Sequence, residues 1–480
     1  MAKPHLILLC LSGILGLLSP LLWAAPGPGT PPTSHQQSRS LELKTVLSLV
    51  ETHHPLLHGS RTEKLDAQGK LLKAMGAFEP TLVNDWELER LVKDGQTKNV
   101  GFNDTLIQAR HPWGVRGFAG WRTGMGDVEV ADLGVRRTNQ PLLGIVLPLL
   151  RGLGTNPERG ELEKSKLAEQ EATLNIQQTR QDLYLGAATQ FWKWVGSWKI
   201  VALQKEALDV AKARLHQLTR QAEAGAVAEF DVTEAHQEAQ RRLENLIRSK
   251  REAEQEQIKL SLFTWNDNAL LSFDRYSIPE FPSLDLSIQQ SRGAPETELA
   301  QQRRPEILQV SLEASRNNID LGVAKNNFLP DLQAEAEPTR KPGEFVLGLG
   351  YRFGLQLSFP FLQRDATGQK LQLEAKAERL LWLQRYRVQQ VALDIDNARS
   401  ALDRAEERIQ AASQSLTYAR SLVKGERKRF QMGATNLLFV NLRERNVVEA
   451  EITFIQAQAE YQQAKAFYLW AIGHWTQPVT

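Results

Sequence analysis

Residues 346–359 read VLGLGYRFGLQLSF, and the fold turns on how that stretch is built. Leu347, Leu349, Tyr351, Phe353, Leu355, Leu357 and Phe359 fall on one parity; Val346, Gly348, Gly350, Arg352, Gly354, Gln356 and Ser358 fall on the other. A period of two puts one set on each face of an extended strand. A water-exposed antiparallel sheet with one wet face gives the same alternation. Strand length, aromatics on the apolar face and glycines opposite them fit better to the wall of a membrane barrel with a polar interior. Residues 331–337 form its partner, with Leu332, Ala334 and Ala336 against Asp331, Gln333, Glu335 and Glu337.

The same alternation appears earlier, where Leu82, Trp86 and Leu88 oppose Asp85, Glu87 and Glu89. The expected lipid-facing set is therefore Leu82, Trp86, Leu88, Leu347, Leu349, Tyr351, Phe353, Leu355, Leu357 and Phe359. The expected lumen-facing set is Asp85, Glu87, Glu89, Gln333, Glu335, Glu337, Arg352 and Gln356. In lipid an open sheet edge leaves backbone groups unpaired at several kcal/mol each, so the sheet must close. Two hairpins supply four strands, and the smallest such barrels have about eight. Several copies must share one barrel; the alternation leaves two, three or more open.

The chain is written twice. His54-Pro55-Leu56-Leu57 corresponds to Arg304-Pro305-Glu306-Ile307, and Ala74 to Leu82 corresponds to Ala324 to Leu332, both at an offset of 250. Leu147-Pro148-Leu149-Leu150 pairs with Phe359-Pro360-Phe361-Leu362, and EAGAVAEFD (223–231) pairs with QMGATNLLF (431–439). Each half reads as helix, two strands, long helix, glycine turn, helix. The long helices are expected near 155–223 and 364–430, each about 100 Å at 1.5 Å per residue. Flanking helices at 41–77 with 228–264, and 296–328 with 436–472, nearly match the long helix of their own half. Val440, Val447, Phe454, Tyr461 and Tyr468 recur every seventh residue, with Ala450, Ala457, Ala464 and Ala471 three places after four of them. That large/small seam is coiled-coil packing. The fold class is mainly α with a small β part: duplicated helix–β-hairpin–long helix–helix units, the helices packed as coiled coils and topped by a transmembrane β-barrel shared between subunits, to which the resemblance given below adds that the helices form an α-helical barrel.

The segments follow from these markers. Residues 1–25 are expected as a signal peptide rather than a single membrane-anchoring helix, with an apolar run from Leu6 to Trp23 broken by Ser12, Gly13, Gly16, Ser19 and Pro20 and small residues after it. Residues 26–40 are a Pro/Gly/Ser-rich linker, 41–265 the first repeat, 266–295 a connector, 296–473 the second repeat and 474–480 a tail. The hairpins span about 78–150 and 330–362. The first is longer by about one insertion, residues 93–127, rich in Gly and Trp, expected as an extracellular loop with room for extra strand structure. The one cysteine, Cys10, falls in the signal segment, so disulfide and thiol chemistry are excluded from the mature chain. Lys+Arg 58 against Asp+Glu 56 gives +2, too balanced for nucleic acid.

This pattern resembles the TolC family of bacterial outer-membrane efflux and secretion ducts. The carrying residues are Arg304 to Ile307, Ala324 to Leu332, Leu357 to Phe361, Arg429-Phe430 with Gly433-Ala434 and Asn436, and the ending Ala464 to Gly473. The resemblance implies a homotrimer, a twelve-stranded barrel with four strands per chain, and a helical tunnel crossing the periplasm. It implies a passive duct in the outer membrane, serving tripartite efflux or type I secretion with a periplasmic adaptor and an inner-membrane pump. It also makes Gly225, Ala226, Asp231, Phe430, Gly433, Ala434 and Phe439 the periplasmic tips and gate. Asp231 matches a family acidic gate position. Phe430, Thr435, Phe439 and Leu442 stand where the family has a tyrosine, an arginine and aspartates, so the ionic latch is largely absent and closure rests on apolar contact.

The rival readings are a soluble periplasmic coiled-coil adaptor or scaffold, and an envelope enzyme with a helical arm. The second would need a catalytic cluster, and the sequence offers no nucleophile elbow, phosphate loop or paired-carboxylate site. No cofactor or metal is expected: His53, His54 and His58 straddle Pro55 at a helix junction, a poor metal frame. Phe191, Trp192, Trp194 and Trp198 are read as packing residues rather than a stacking platform.

Overall fold

The structure is a computed structural model that describes residues 39–93, 95–126, 139–266, 269–273, 276–283, 294–338 and 351–478. The signal segment, almost all of the linker, Leu347 and Leu349 lie outside the described residues. From Ser40 onward the chain forms one unit.

The duplication is visible in the element order. The first half runs α1 (Leu43–His53), α2 (Pro55–Gly76), β1 (Thr81–Lys93), β2 (Gln96–Arg110), β3 (Arg116–Gly126), β4 (Asn139–Pro148), α3 (Pro157–Glu223) and α4 (Glu229–Ser261). The second runs α5 (Ala294–Arg303), α6 (Pro305–Asn326), β5 (Asp331–Pro338), β6 (Tyr351–Ser358), α7 (Arg364–Gln431) and α8 (Leu437–Ala471). Pro55 and Pro305 each open a helix at its first position, where a missing N–H costs nothing, and each forces the preceding residue out of helical geometry. The helical line therefore breaks at His54 and Arg304, one repeat apart.

The long helices α3 and α7 contain 67 and 68 residues, each about 100 Å long. Both end in the same way. Gly225 and Gly433 adopt φ of +73°, and the next N–H reaches back five residues, Ala226 to Gln221 O and Ala434 to Arg429 O, both at 2.8 Å. This left-handed cap satisfies the last carbonyls and reverses the chain, and glycine takes it without a Cβ penalty. α4 and α8 then return alongside their long helices.

The core follows the heptads. Val391, Ile395, Ala398 and Leu402 of α7 meet Ala457, Tyr461, Tyr468 and Ala471 of α8, the seam residues read from the sequence. In the other half Tyr184, Ala187, Ala188, Phe191, Trp194 and Val195 of α3 are buried against Val46, Val50 and Leu57. Phe191 and Trp194 are thus packing residues; fully burying an apolar side chain of this size stabilises by about 1.5–3 kcal/mol. Phe273 and Phe281 of the connector lie over Trp194 and Trp192, with ring centroids 5.7 and 5.9 Å apart.

The sheet departs from expectation. Six strands form one antiparallel sheet in the order β6-β5-β4-β3-β2-β1, two more than the four per chain that the resemblance implies for the barrel. The segment 93–127, expected as an extracellular loop with room for extra strand structure, holds two strands of 15 and 11 residues. The reason is legible in the register. Asn103 and Thr105 stand on the same face as Trp86 and Leu88, while Phe102 and Leu106 stand on the face of Asp85 and Glu87. Polar and apolar residues occur on both parities, and the period-two signal is lost.

Candidate functional site

Two regions carry the expected functional residues: the sheet at one end of the helices and the glycine tips at the other. In the sheet, register decides which side chains share a face. Leu82, Trp86 and Leu88 of β1 align with Ile107, Asn103 and Gly101 of β2. Ile107 aligns with Ala119, Ala119 with Leu143, and Ile145 with Ala336. Leu332, Ala334 and Ala336 then face Leu357, Leu355 and Phe353 of β6. Leu82, Trp86, Leu88, Phe353, Leu355 and Leu357 are all exposed, Phe353 at 80%. One face of the sheet is thus a broad apolar surface with no protein cover in the single chain. Phe359 lies one residue past the end of β6 and is exposed as well. Tyr351 opens β6.

The opposite face gathers Asp85, Glu87 and Glu89 in β1, Gln333, Glu335 and Glu337 in β5, and Arg352 and Gln356 in β6. Arg352 reaches both Glu335, at 3.7 Å, and Glu337. Across the inserted strands Arg122 makes a bidentate pair with Asp104 at 2.7 and 2.6 Å, with its guanidinium 5.3 Å from the Phe102 ring centroid. Neither pair had a signal in the sequence beyond the charges themselves.

At the tips, Leu437 of α8 packs with Leu218 of α3 and Ala235 of α4, and Val227 of the first tip joins them. The two helical hairpins are therefore in contact down to their ends. Phe430, Phe439, Met432, Leu438 and Phe230 remain exposed around that contact. Asp231 lies in the first turn of α4, where a negative charge suits the helix N-terminus. Asn436 caps α8 by accepting from the Phe439 N–H at 3.3 Å.

About three helical turns above the tips lies a polar knot that sequence reasoning missed. Arg214 of α3 donates to both carboxylate oxygens of Glu444 in α8, at 2.7 and 2.5 Å, and to Asn441 Oδ1 at 2.9 Å. Arg427 of α7 donates to Glu444 Oε1 at 3.0 and 2.7 Å. Asn441 in turn donates to Glu234 of α4 at 3.2 Å. Burial alone would raise the Glu444 carboxyl, but hydrogen bonds and charge from Arg214 and then Arg427 outweigh it and hold the group below its ordinary value. One carboxylate and one amide thus tie all four helices of the two hairpins.

At the helix breaks, Arg304 stacks on Trp470 at 4.0 Å and donates to Asp394, Glu306 and the carbonyl oxygens of Trp470 and Ala471. Its counterpart His54 stacks on Phe263 at 6.3 Å and accepts from the Leu56 N–H. Among the described residues no cluster of His, Cys, Asp or Glu could hold a metal ion. None of the described helices is long and apolar enough to cross a membrane.

Residues 297–467 match the family model described as outer membrane efflux protein. No curated protein matches the chain. Several solved structures share the fold. The outer-membrane channel CmeC of Campylobacter jejuni is 15% identical, with a TM-score of 0.67 over 90% of this chain and 85% of its own. The outer-membrane channel OprN is 16% identical, with a TM-score of 0.69 over 91% of each chain. The outer membrane protein VceC of Vibrio cholerae is 15% identical, with a TM-score of 0.65 over 90% of this chain and 96% of its own. The chain carries an outer membrane efflux protein domain in its second repeat, and its fold is that of the TolC-like outer-membrane channels.

Proposed function

We propose that three copies of this chain close a duct through the outer membrane, the exit component of a tripartite efflux or type I secretion assembly. An apolar sheet face exposed at Leu82, Trp86, Phe353, Leu355 and Leu357 is the observation that carries this reading. Such a surface on a water-soluble protein would be an aggregation liability, whereas lipid is its natural solvent. The lipid-facing set is then the Leu82–Phe359 group and the lumen-facing set the Asp85–Gln356 group. The helices extend the lumen about 100 Å into the periplasm, and the tips at Gly225 and Gly433 meet a periplasmic adaptor. Transport is passive here, with energy supplied by an inner-membrane pump.

The exposed Phe430, Phe439 and Met432 support closure by apolar contact at the tips. Fractionation tests the reading against a soluble adaptor. The duct requires detergent for extraction and a trimeric mass in mild detergent; release of a monomer by osmotic shock would exclude it.

A further inference from the structure

We propose that the inserted hairpin β2–β3 is part of the spanning wall, so that the assembly closes with eighteen strands rather than twelve. The inference rests on the trimeric duct above and concerns the width of its barrel.

Four observations carry it. First, β2 and β3 sit inside the sheet, between β1 and β4, and not at its rim. Their pairing runs from Val100–Gly126 down to Arg110–Arg116. At 15 and 11 residues both reach the roughly 9–11 residues a tilted spanning strand needs.

Second, the turn joining them returns to the helix end of the sheet and is fastened there. Asn156, the N-cap of α3, donates to Pro112 O at 2.9 Å, and the Gly154 N–H donates to Trp113 O at 3.2 Å. Arg110 pairs with Glu158 in the first turn of α3. Gly114 has φ of +90° and approaches Gly152 O so closely that a Cβ there would lie 2.3 Å from it. An extracellular loop would have no reason to dock beside a periplasmic helix.

Third, the apolar face continues across the insertion at the level of Leu82, through Ile107, Ala119 and Leu143, while Asn103 and Thr105 interrupt it at the level of Trp86. Ile107 and Trp121 are exposed on the side of Leu82 and Trp86, next to Ala119 and Leu143. On the other side Asp104 and Arg122 pair, and the Phe118 ring covers Gly144, occupying the space a side chain there would take. This is how a fixed register is held in a wall.

Fourth, β1 and β6 each have one strand neighbour among the described residues, and two added strands leave them running in opposite directions. The β1 edge of one copy therefore meets the β6 edge of the next in antiparallel fashion, and a rotating ring of three closes. Barrel diameter grows roughly linearly with strand number, so the lumen is about one and a half times as wide as with twelve strands. Selection by size then falls to the helical tunnel and its tips.

The test is topological. Single cysteines replace Thr97, near the outer end of β2, and Trp113, in the fastened turn; both side chains are exposed. Cells are treated with a bulky polyethylene-glycol maleimide that cannot pass the pore, and labelling is scored against the detergent-solubilised protein. We expect T97C to label in intact cells and W113C to be protected there. Labelling of both would put the hairpin outside the wall and overturn the inference while leaving the duct intact. Labelling of neither would overturn the duct reading itself. Strand counting by electron microscopy of the purified assembly is independent of any substitution; twelve strands with residues 96–126 outside the ring would overturn the proposal.

Discussion

Arg214 and Glu444 form a bidentate pair, 2.7 and 2.5 Å, between the long helix of the first hairpin and the returning helix of the second. Arg427 shares the same carboxylate, so both hairpins are held to one point about 16 Å from their tips. Glu444→Ala leaves two guanidinium groups facing one another with their common acceptor gone. Partial solvent access tempers the loss, and we expect destabilisation of about 2 kcal/mol, below the 3–5 kcal/mol of a fully buried pair. Hydrogen exchange should quicken in residues 215–235 and 428–445 while the sheet is unaffected. In planar bilayers the resting conductance should rise. Unchanged exchange at the tips would show that the knot is not what holds the hairpins together.

Acidification should act with opposite sign at two levels of the helices. Glu444 lies below its ordinary 4.5, so its stabilisation is full above that value and is lost as pH falls through the folded pKa. Asp394 lies above its ordinary 3.8, because burial raises it first and the Arg304 charge offsets that only in part. A raised carboxyl is a penalty when ionised, so its cost is present at neutral pH and disappears as pH falls. Asp394→Asn should therefore raise the melting temperature at pH 7, and Glu444→Gln should lower it there and flatten the acid limb. Melting curves of the two variants across pH 3–8 check this; parallel curves would refute it.

The helical frame was legible in the sequence because it rests on repeating local signals. Pro55 and Pro305 mark the breaks, Gly225 and Gly433 the reversals, and the seven-residue spacing from Val440 to Tyr468 the seam. The outer hairpin strands were legible wherever one face is uniformly apolar, as at Phe353, Leu355 and Leu357. The inserted strands were not, since Asn103 and Thr105 break the pattern on one face and Phe102 and Leu106 on the other. The tip knot had no local signature at all: Arg214 and Glu444 are 230 positions apart, and each alone reads as a solvated charge on a polar helix.

Four glycines of the helices and tips separate by backbone conformation rather than by space. Nothing lies within 4 Å of a Cβ built at Gly225, Gly433, Gly322 or Gly425, yet only the first two have positive φ. Gly225→Ala and Gly433→Ala should each cost about 1–2 kcal/mol for the left-handed conformation. Gly322→Ala and Gly425→Ala, inside α6 and α7, should each stabilise by about 0.5–1 kcal/mol. Chemical denaturation of the four single variants distinguishes the two classes, and equal effects would mean that the tips are not bound to this cap geometry.

Charge on the inner face of the sheet should set ion preference in the upper channel. Glu335 and Glu337 both face Arg352, and Asp104 is matched by Arg122, so those positions are partly neutralised within the wall. Asp85 and Glu87 lie on the same face in β1, in register with Asp104 and Phe102 of β2. Repeated around a ring, acidic positions of this kind favour cations. The double variant Asp85→Asn with Glu87→Gln should move the reversal potential in a salt gradient toward anions, and Arg352→Gln should move it the other way. Lowering ionic strength should enlarge both shifts, because screening weakens as the Debye length grows. A reversal potential that favours anions in the unaltered protein, and stays the same in both variants, would show that ions are selected elsewhere, and the helical tips would then be the place to look.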